Sequence, residues 1–312
     1  MDTALDPAFD ALVRRLSRQS VERHFDAFAD VDWDADGVDP SDQRWSMERL
    51  DPLASTEWYR GQPPEARSRI GLHRIATAMR TGWEFENILQ RGLLAYAFWL
   101  PNRRPEFRYL YHEVAEESHH TMMFQELVDR SGLDVRGLAP ALKAVAELGV
   151  IPLARLFPPL FFLFVLGGEE PIDHVQHRWL RAGIAHPLLE RIVRIHVTEE
   201  ARHLSFARHY LEREVPRLGP ARRRLLSLAA PLLLGVMARQ MLSTSRYFAR
   251  TNGIPRHVVT AARRSDEGRA LVCGSVAKVR RLCRALGLVD PVAAALWRAM
   301  RIWGDDAAAG AG

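Results

Sequence analysis

From Pro64 onward, apolar residues return every three or four positions almost without interruption, the spacing that puts them on one side of a helix. Proline and glycine punctuate this pattern at Pro101–Pro105, Gly132, Gly183–Pro187, Pro216–Pro220, Gly253–Pro255 and Gly287–Pro291. The pattern predicts helices near 64–99, 105–131, 138–150, 155–182, 186–214, 219–251, 256–264, 267–286 and 290–303. Strand signals are nearly missing, and Asn252-Gly253 reads as a helix stop rather than a hairpin. Upstream, residues 1–62 read as an arm: a short amphipathic helix near Pro7–His24, then a loop whose Trp33, Trp45 and Trp58 pack on the body. Residues 63–303 form one all-α domain, and the Ala/Gly/Asp-rich residues 304–312 form a disordered tail.

The most apolar run, Val150–Gly168, could be mistaken for a membrane span. It contains Arg155, Pro158 and Pro159 and leads straight into Glu169, Glu170, Asp173 and His174. These residues are costly at membrane depth, so a buried central helix is the better reading, with no transmembrane segment.

Composition changes this picture little. With 312 residues, 47% hydrophobic and 26% charged, the chain can build a core without disulfides or structural metals. Lys and Arg exceed Asp and Glu by 43 to 38, too mild and scattered an excess for a nucleic-acid binder. Cys273 and Cys283 fall in one predicted helix, about 15 Å apart, which fits unbridged thiols in a reducing cytoplasm. The N-terminus has no apolar signal region.

What alters the picture is where acids and histidines fall. Helix 105–131 contains Glu116-Glu117-Ser118-His119-His120, and helix 186–214 contains His196-Val197-Thr198-Glu199-Glu200-Ala201-Arg202-His203. Residues three apart share a helix face, so Glu117 with His120 and Glu200 with His203 each aim a carboxylate and an imidazole at one point. His196 lies one turn earlier on the same face as Glu200. In bundles that bind two metals, the remaining two helices each give a single inward Glu. On helix 64–99, Glu86 shares the face of Trp83, Leu89, Leu93 and Ala97, while its alternative, Glu84, sits with Arg80, Asn87 and Arg91. On helix 155–182, Glu169 continues the face of Phe162, Val165 and Leu166 and is preferred to Glu170.

One helical Glu is ordinarily a solvated surface residue, and one Glu-x-x-His is a weak signal: Glu116 with His119 makes a third copy, assigned to the flank. The joint pattern is stronger, because burying seven ionisable groups with no metal would be very costly. Four carboxylates and three imidazoles suit two iron ions with positions left open for dioxygen; manganese fits the same donors, whereas zinc needs fewer oxygens. Glu113, Asp173 and Glu199 are candidate acceptors for the histidine N–H groups, with surface ion pairing as the alternative. His119, His174 and His177 read as core or surface histidines, and Met122, Met123 and Phe124 as packing.

At these residues the sequence resembles the p-aminobenzoate N-oxygenase (AurF-like) family of di-iron oxygenases, within the ferritin-like superfamily. The resemblance runs over roughly residues 20–250, and its most specific element is the run His196, Glu200, His203. It implies a ferritin-like four-helix bundle and metal ligands Glu86, Glu117, His120, Glu169, His196, Glu200 and His203. It further implies a homodimer, dioxygen as co-substrate, an external electron donor such as a ferredoxin or reductase, and stepwise oxidation of an arylamine to hydroxylamine and nitro products. Glu117 and Glu200 are the expected bridging carboxylates. A greasy pocket walled by Phe85, Leu89, Phe161, Phe162, Leu166 and Ile192 is expected beside the metals. Two other readings stay open: a di-iron hydroxylase or desaturase of an aliphatic or lipid substrate, and a ferritin-like protein handling iron or peroxide. A membrane-surface role for the basic stretch Lys278–Arg284 is a third.

Overall fold

Eight helices open with proline at their first position, where a missing N–H costs nothing and a fixed φ is already helical. The computed structural model describes residues 6–47 and 51–304. Before the bundle come α1 (Pro7–Glu22), capped by Asp6 accepting from the Phe9 N–H at 3.1 Å, and the single turn α2 (Glu57–Arg60). The bundle follows as α3 (Pro64–Ala97), α4 (Pro105–Ser131), α5 (Pro140–Leu156), α6 (Pro158–Ala182) and α7 (Pro187–Glu214). Then come α8 (Pro220–Leu242), α9 (Arg246–Thr251), α10 (Arg256–Arg264), α11 (Asp266–Ser275), α12 (Ala277–Ala285) and α13 (Pro291–Ala299). No strand occurs among the described residues.

The four long helices form two hairpins, α3 with α4 and α6 with α7, packed together through α3 against α6 and α4 against α7. α5 carries the chain from one hairpin to the other, resting on α3 and α6. α8 lies on α6, and α11 and α12 close over the same side. This all-α arrangement, with one long connection between hairpins, is consistent with a ferritin-like bundle. One stretch, Pro220–Thr251, is long and apolar enough to cross a membrane; about half of its apolar window is buried in the protein, as in a core helix.

The arm lies on this body. α1 packs on α4 and α7, and the turn Gln43–Trp45 on α3. There Gly71 is required: a Cβ would collide with the Trp45 carbonyl. Trp33 and Trp45 are buried, with Trp45 stacked 3.8 Å from the His186 ring, and Trp58 is half-buried. Residues 1–5 and 48–50 of the arm, and 305–312 of the expected tail, lie outside the described residues.

Four expected boundaries need correction. The helix expected over 138–150 runs on through Pro152 to Leu156, and the non-helical backbone of Phe157, at φ −143° and ψ 67°, makes the break. The expected helix 219–251 stops at Ser243 and restarts at Arg246, because the Ser245 hydroxyl caps a new helix by accepting from the Phe248 N–H. The expected helix 267–286 breaks at Val276, so Cys273 and Cys283 sit on different helices; both are free thiols. The last helix ends at Ala299 rather than 303, and Arg301 turns the chain with φ of 52°.

Candidate metal centre

α3, α4, α6 and α7 each present their inward face to one point at mid-bundle, and there all seven anticipated side chains meet, every one almost completely buried. Their ligand-capable atoms form three groups whose members lie within 4.8 Å of one another. Glu86, His120 and His196 make one; Glu117, Glu200 and His203 make another; Glu169, His196 and Glu200 make a third that shares a member with each. Glu117 also spans the first two groups, with oxygens 3.2 Å from His120 Nδ1 and 2.9 Å from His203 Nδ1.

The structure separates the close alternatives. Glu84, though buried, points away from the cluster to Arg80 at 2.8 Å, Lys143 at 2.5 Å and the Leu138 N–H at 2.8 Å. Glu170 pairs with Arg208 and faces Lys278 at 3.8 Å. His119 accepts from the Ala27 N–H, and His177 faces Asp173.

Around the histidines stands an outer ring of acceptors. His120 Nε2 lies 2.9 Å from Glu199 Oε2, and His203 Nε2 lies 2.7 Å from Glu116 Oε2. Arg202 reaches both of these carboxylates, Glu116 at 2.8 Å and Glu199 at 3.5 Å. His196 Nδ1 meets the Gln176 amide oxygen at 2.7 Å. Such partners fix which ring nitrogen faces inward. Glu199 was foreseen in this role. Glu116, expected on the flank, is instead buried against His203; Asp173 pairs outward with His177 and Lys278. Gln176 was not foreseen, although its place one turn beyond Asp173 on the apolar helix α6 was a usable signal. Phe124 packs on the cluster itself, 5.1 Å from the His196 ring. From the arm, the Phe25 N–H donates to Glu199 Oε1 at 3.2 Å.

Burial and crowding of like charge push the carboxyls of Glu86 and Glu169 far above the ordinary range, and burial raises Glu200. Burial also works to raise Glu117, but the charges of His203 and His120 prevail and hold it low. Burial lowers His196 to about 4, helped by the neighbouring His120. His120 and His203 resist burial and are raised by their carboxylate partners. Burial brings Glu113, near His203, up to about 8.

The donor set fits divalent metal. Glu169 Oε1 and Glu200 Oε1 are buried and receive no hydrogen bond, although buried carboxylate oxygens normally find a donor. Oxygen and imidazole donors in this ratio suit iron or manganese.

Residues 6–287 match the family model described as p-aminobenzoate N-oxygenase AurF. The chain belongs to the AurF family. The match extends on both sides of the resemblance read from the sequence. An uncharacterized protein of Mycobacterium tuberculosis H37Rv is 42% identical over 309 residues, covering 97% of this chain and 90% of the relative. An uncharacterized protein of Mycobacterium bovis matches with the same identity and coverage. Membership of the AurF family makes this an oxygenase-family chain with buried Glu and His groups able to hold metal.

Of the expected pocket walls in this AurF-family chain, Phe85 lines a cavity, between α3, α5, α6 and α8. Leu89, Phe161, Phe162, Leu166 and Ile192 are packed in the solid core. A smaller cavity opens beside the cluster; Met79, Gly82, Phe124, Gln176 and Met241 are among its walls, as are Asp51, Arg74 and Arg178.

Proposed function

We propose that this protein is a dioxygen-dependent di-iron oxygenase that N-oxygenates an amine. The observation that carries the reading is the linkage of three buried donor groups through His196 and Glu200, a continuous set of four carboxylates and three imidazoles with unpartnered oxygens. Glu86, Glu117, His120, Glu169, His196, Glu200 and His203 would hold the metals. Iron, when bound there, supplies the redox chemistry that activates dioxygen.

The chain's own residues do the rest. Four carboxylates offset the charge of two divalent ions, and Glu199, Glu116 and Gln176 hold the imidazoles in the orientation that frees one nitrogen each. Phe124 and the packed Phe162 and Leu166 keep bulk water from the cluster. The overall reaction balances as amine, dioxygen, two electrons and two protons giving hydroxylamine and water. The two electrons come from a separate donor. Cytoplasmic location and a homodimer belong to the same reading.

The test is anaerobic iron loading of the purified chain, then exposure to dioxygen with a reductant and a panel of aryl and alkyl amines, with products read by mass spectrometry. Two irons per chain and an amine gaining oxygen are expected. One iron or fewer per chain, or hydroxylated carbon with untouched nitrogen, would overturn it.

A further inference from the structure

Between α3, α5, α6 and α8 lies a chamber of about 340 Å³, within the size range of small-molecule sites. Its walls include Ile88, Leu142, Val145, Leu153, Phe164 and Val236, and among the described residues no charged side chain lines it. The one polar side chain in its lining is Gln240, whose amide makes no hydrogen bond among the described residues. The chamber is long: its wall along α5 runs from Leu142 to Leu153, roughly 16 Å at 1.5 Å per residue. That is far longer than an aromatic ring. Its rim is apolar too, since Val145 is 68% and Val236 49% exposed.

Two residues tie the chamber to the candidate metal centre. Met241 lines both the chamber and the smaller cavity that touches Gln176 and Phe124, so one flexible thioether side chain stands between them. Phe85, which precedes the inward Glu86, forms another wall, its ring filling the space where a side chain at Gly168 would sit.

We propose that this chamber binds the hydrocarbon chain of the substrate, which makes that substrate a chain-bearing aliphatic amine rather than a compact charged arylamine. A carboxylate carried into these walls would be stripped of water with no cation to receive it, whereas methylene groups gain by burial. Gln240 offers the single polar contact. Binding of the chain stands without the metal; only the fate of the bound amine rests on the function proposed above.

Gly149 gives a clean test, because it lines the chamber and a Cβ built on it meets nothing within 4 Å. The full-length protein is titrated with dansyl-labelled dodecylamine, with unlabelled dodecylamine and p-aminobenzoate as competitors. Oligomeric state, thermal unfolding and iron content are read on the same samples. The wild-type chain should bind the probe, dodecylamine should displace it and p-aminobenzoate should not. Gly149→Phe and Ala146→Phe should each weaken binding at least tenfold while melting and iron content stay unchanged.

Unaltered binding in both filled variants overturns the proposal, as does wild-type protein that ignores the probe, or equal displacement by p-aminobenzoate. Filled variants that split an oligomer while keeping the probe would assign the face to a second copy of the chain and overturn it as well. Two irons per chain without alkyl binding sinks this inference alone. Alkyl binding without iron sinks the metal reading alone.

Discussion

His120 and His203 are supported in the same way, each across the helix interface from the other. His120 on α4 is held by Glu199 of α7, His203 on α7 is held by Glu116 of α4, and Arg202 joins the two carboxylates. His196 stands outside this symmetry. Its outer partner is the neutral amide of Gln176 on α6, and the corresponding place on α4, four residues before Glu117, holds Glu113 rather than a histidine. A carboxylate behind an imidazole makes the ring a stronger donor; an amide orients it without adding charge. The same contrast shows in the titration of the rings, raised for the symmetric pair and pulled to about 4 for His196. The bundle thus combines a twofold-like frame, suited to holding two ions, with one weaker donor that makes their surroundings unequal.

The strongest way to break this comparison is to remove a member of the frame. His203→Ala or Glu117→Ala should leave at most one metal per chain by elemental analysis, with the helical circular dichroism retained. Next in size, Arg202→Met should cost about 3 kcal/mol or more of unfolding free energy in urea titration, since it leaves buried Glu116 and Glu199 without their shared cation. Glu199→Gln gives His120 the kind of support that His196 has, and should weaken metal affinity roughly 10- to 100-fold. Glu116→Gln should match it closely, and the double variant should fall short of additivity because both acids share Arg202. Unequal single effects would show that the symmetry is only geometric. The smallest change is expected for Gln176→Ala: a few-fold weaker metal binding, with stoichiometry kept. Gln176→Glu should move affinity the other way.

Much of this centre was legible because helices translate spacing into direction. Glu117 and His120, or Glu200 and His203, had to share a face whatever the tertiary packing, and Glu86 was told from Glu84 by the apolar residues on its side. Partners across helices were harder. Nothing local says that Glu116 reaches His203 or that Gln176 reaches His196, since those contacts depend on how the hairpins lie against each other. The proline at each helix start marked where the bundle begins, but the break at Ser245 depended on a hydroxyl cap within an otherwise apolar run. The pocket was misjudged for a related reason. Phe161, Phe162 and Leu166 face the right way, yet their volumes fill the core completely, and open space appears instead between α3, α5, α6 and α8.

The hydrogen bond from the Phe25 N–H to Glu199 gives the arm a part in supporting the centre. The donor precedes all four bundle helices in the chain, yet its acceptor lies on the last of them. The arm finds partners on α3 and α4, but the contact that braces the carboxylate behind His120 needs α7 in place. A chain cut short before α7 would keep the contacts of the arm with α3 and α4 and lose this brace.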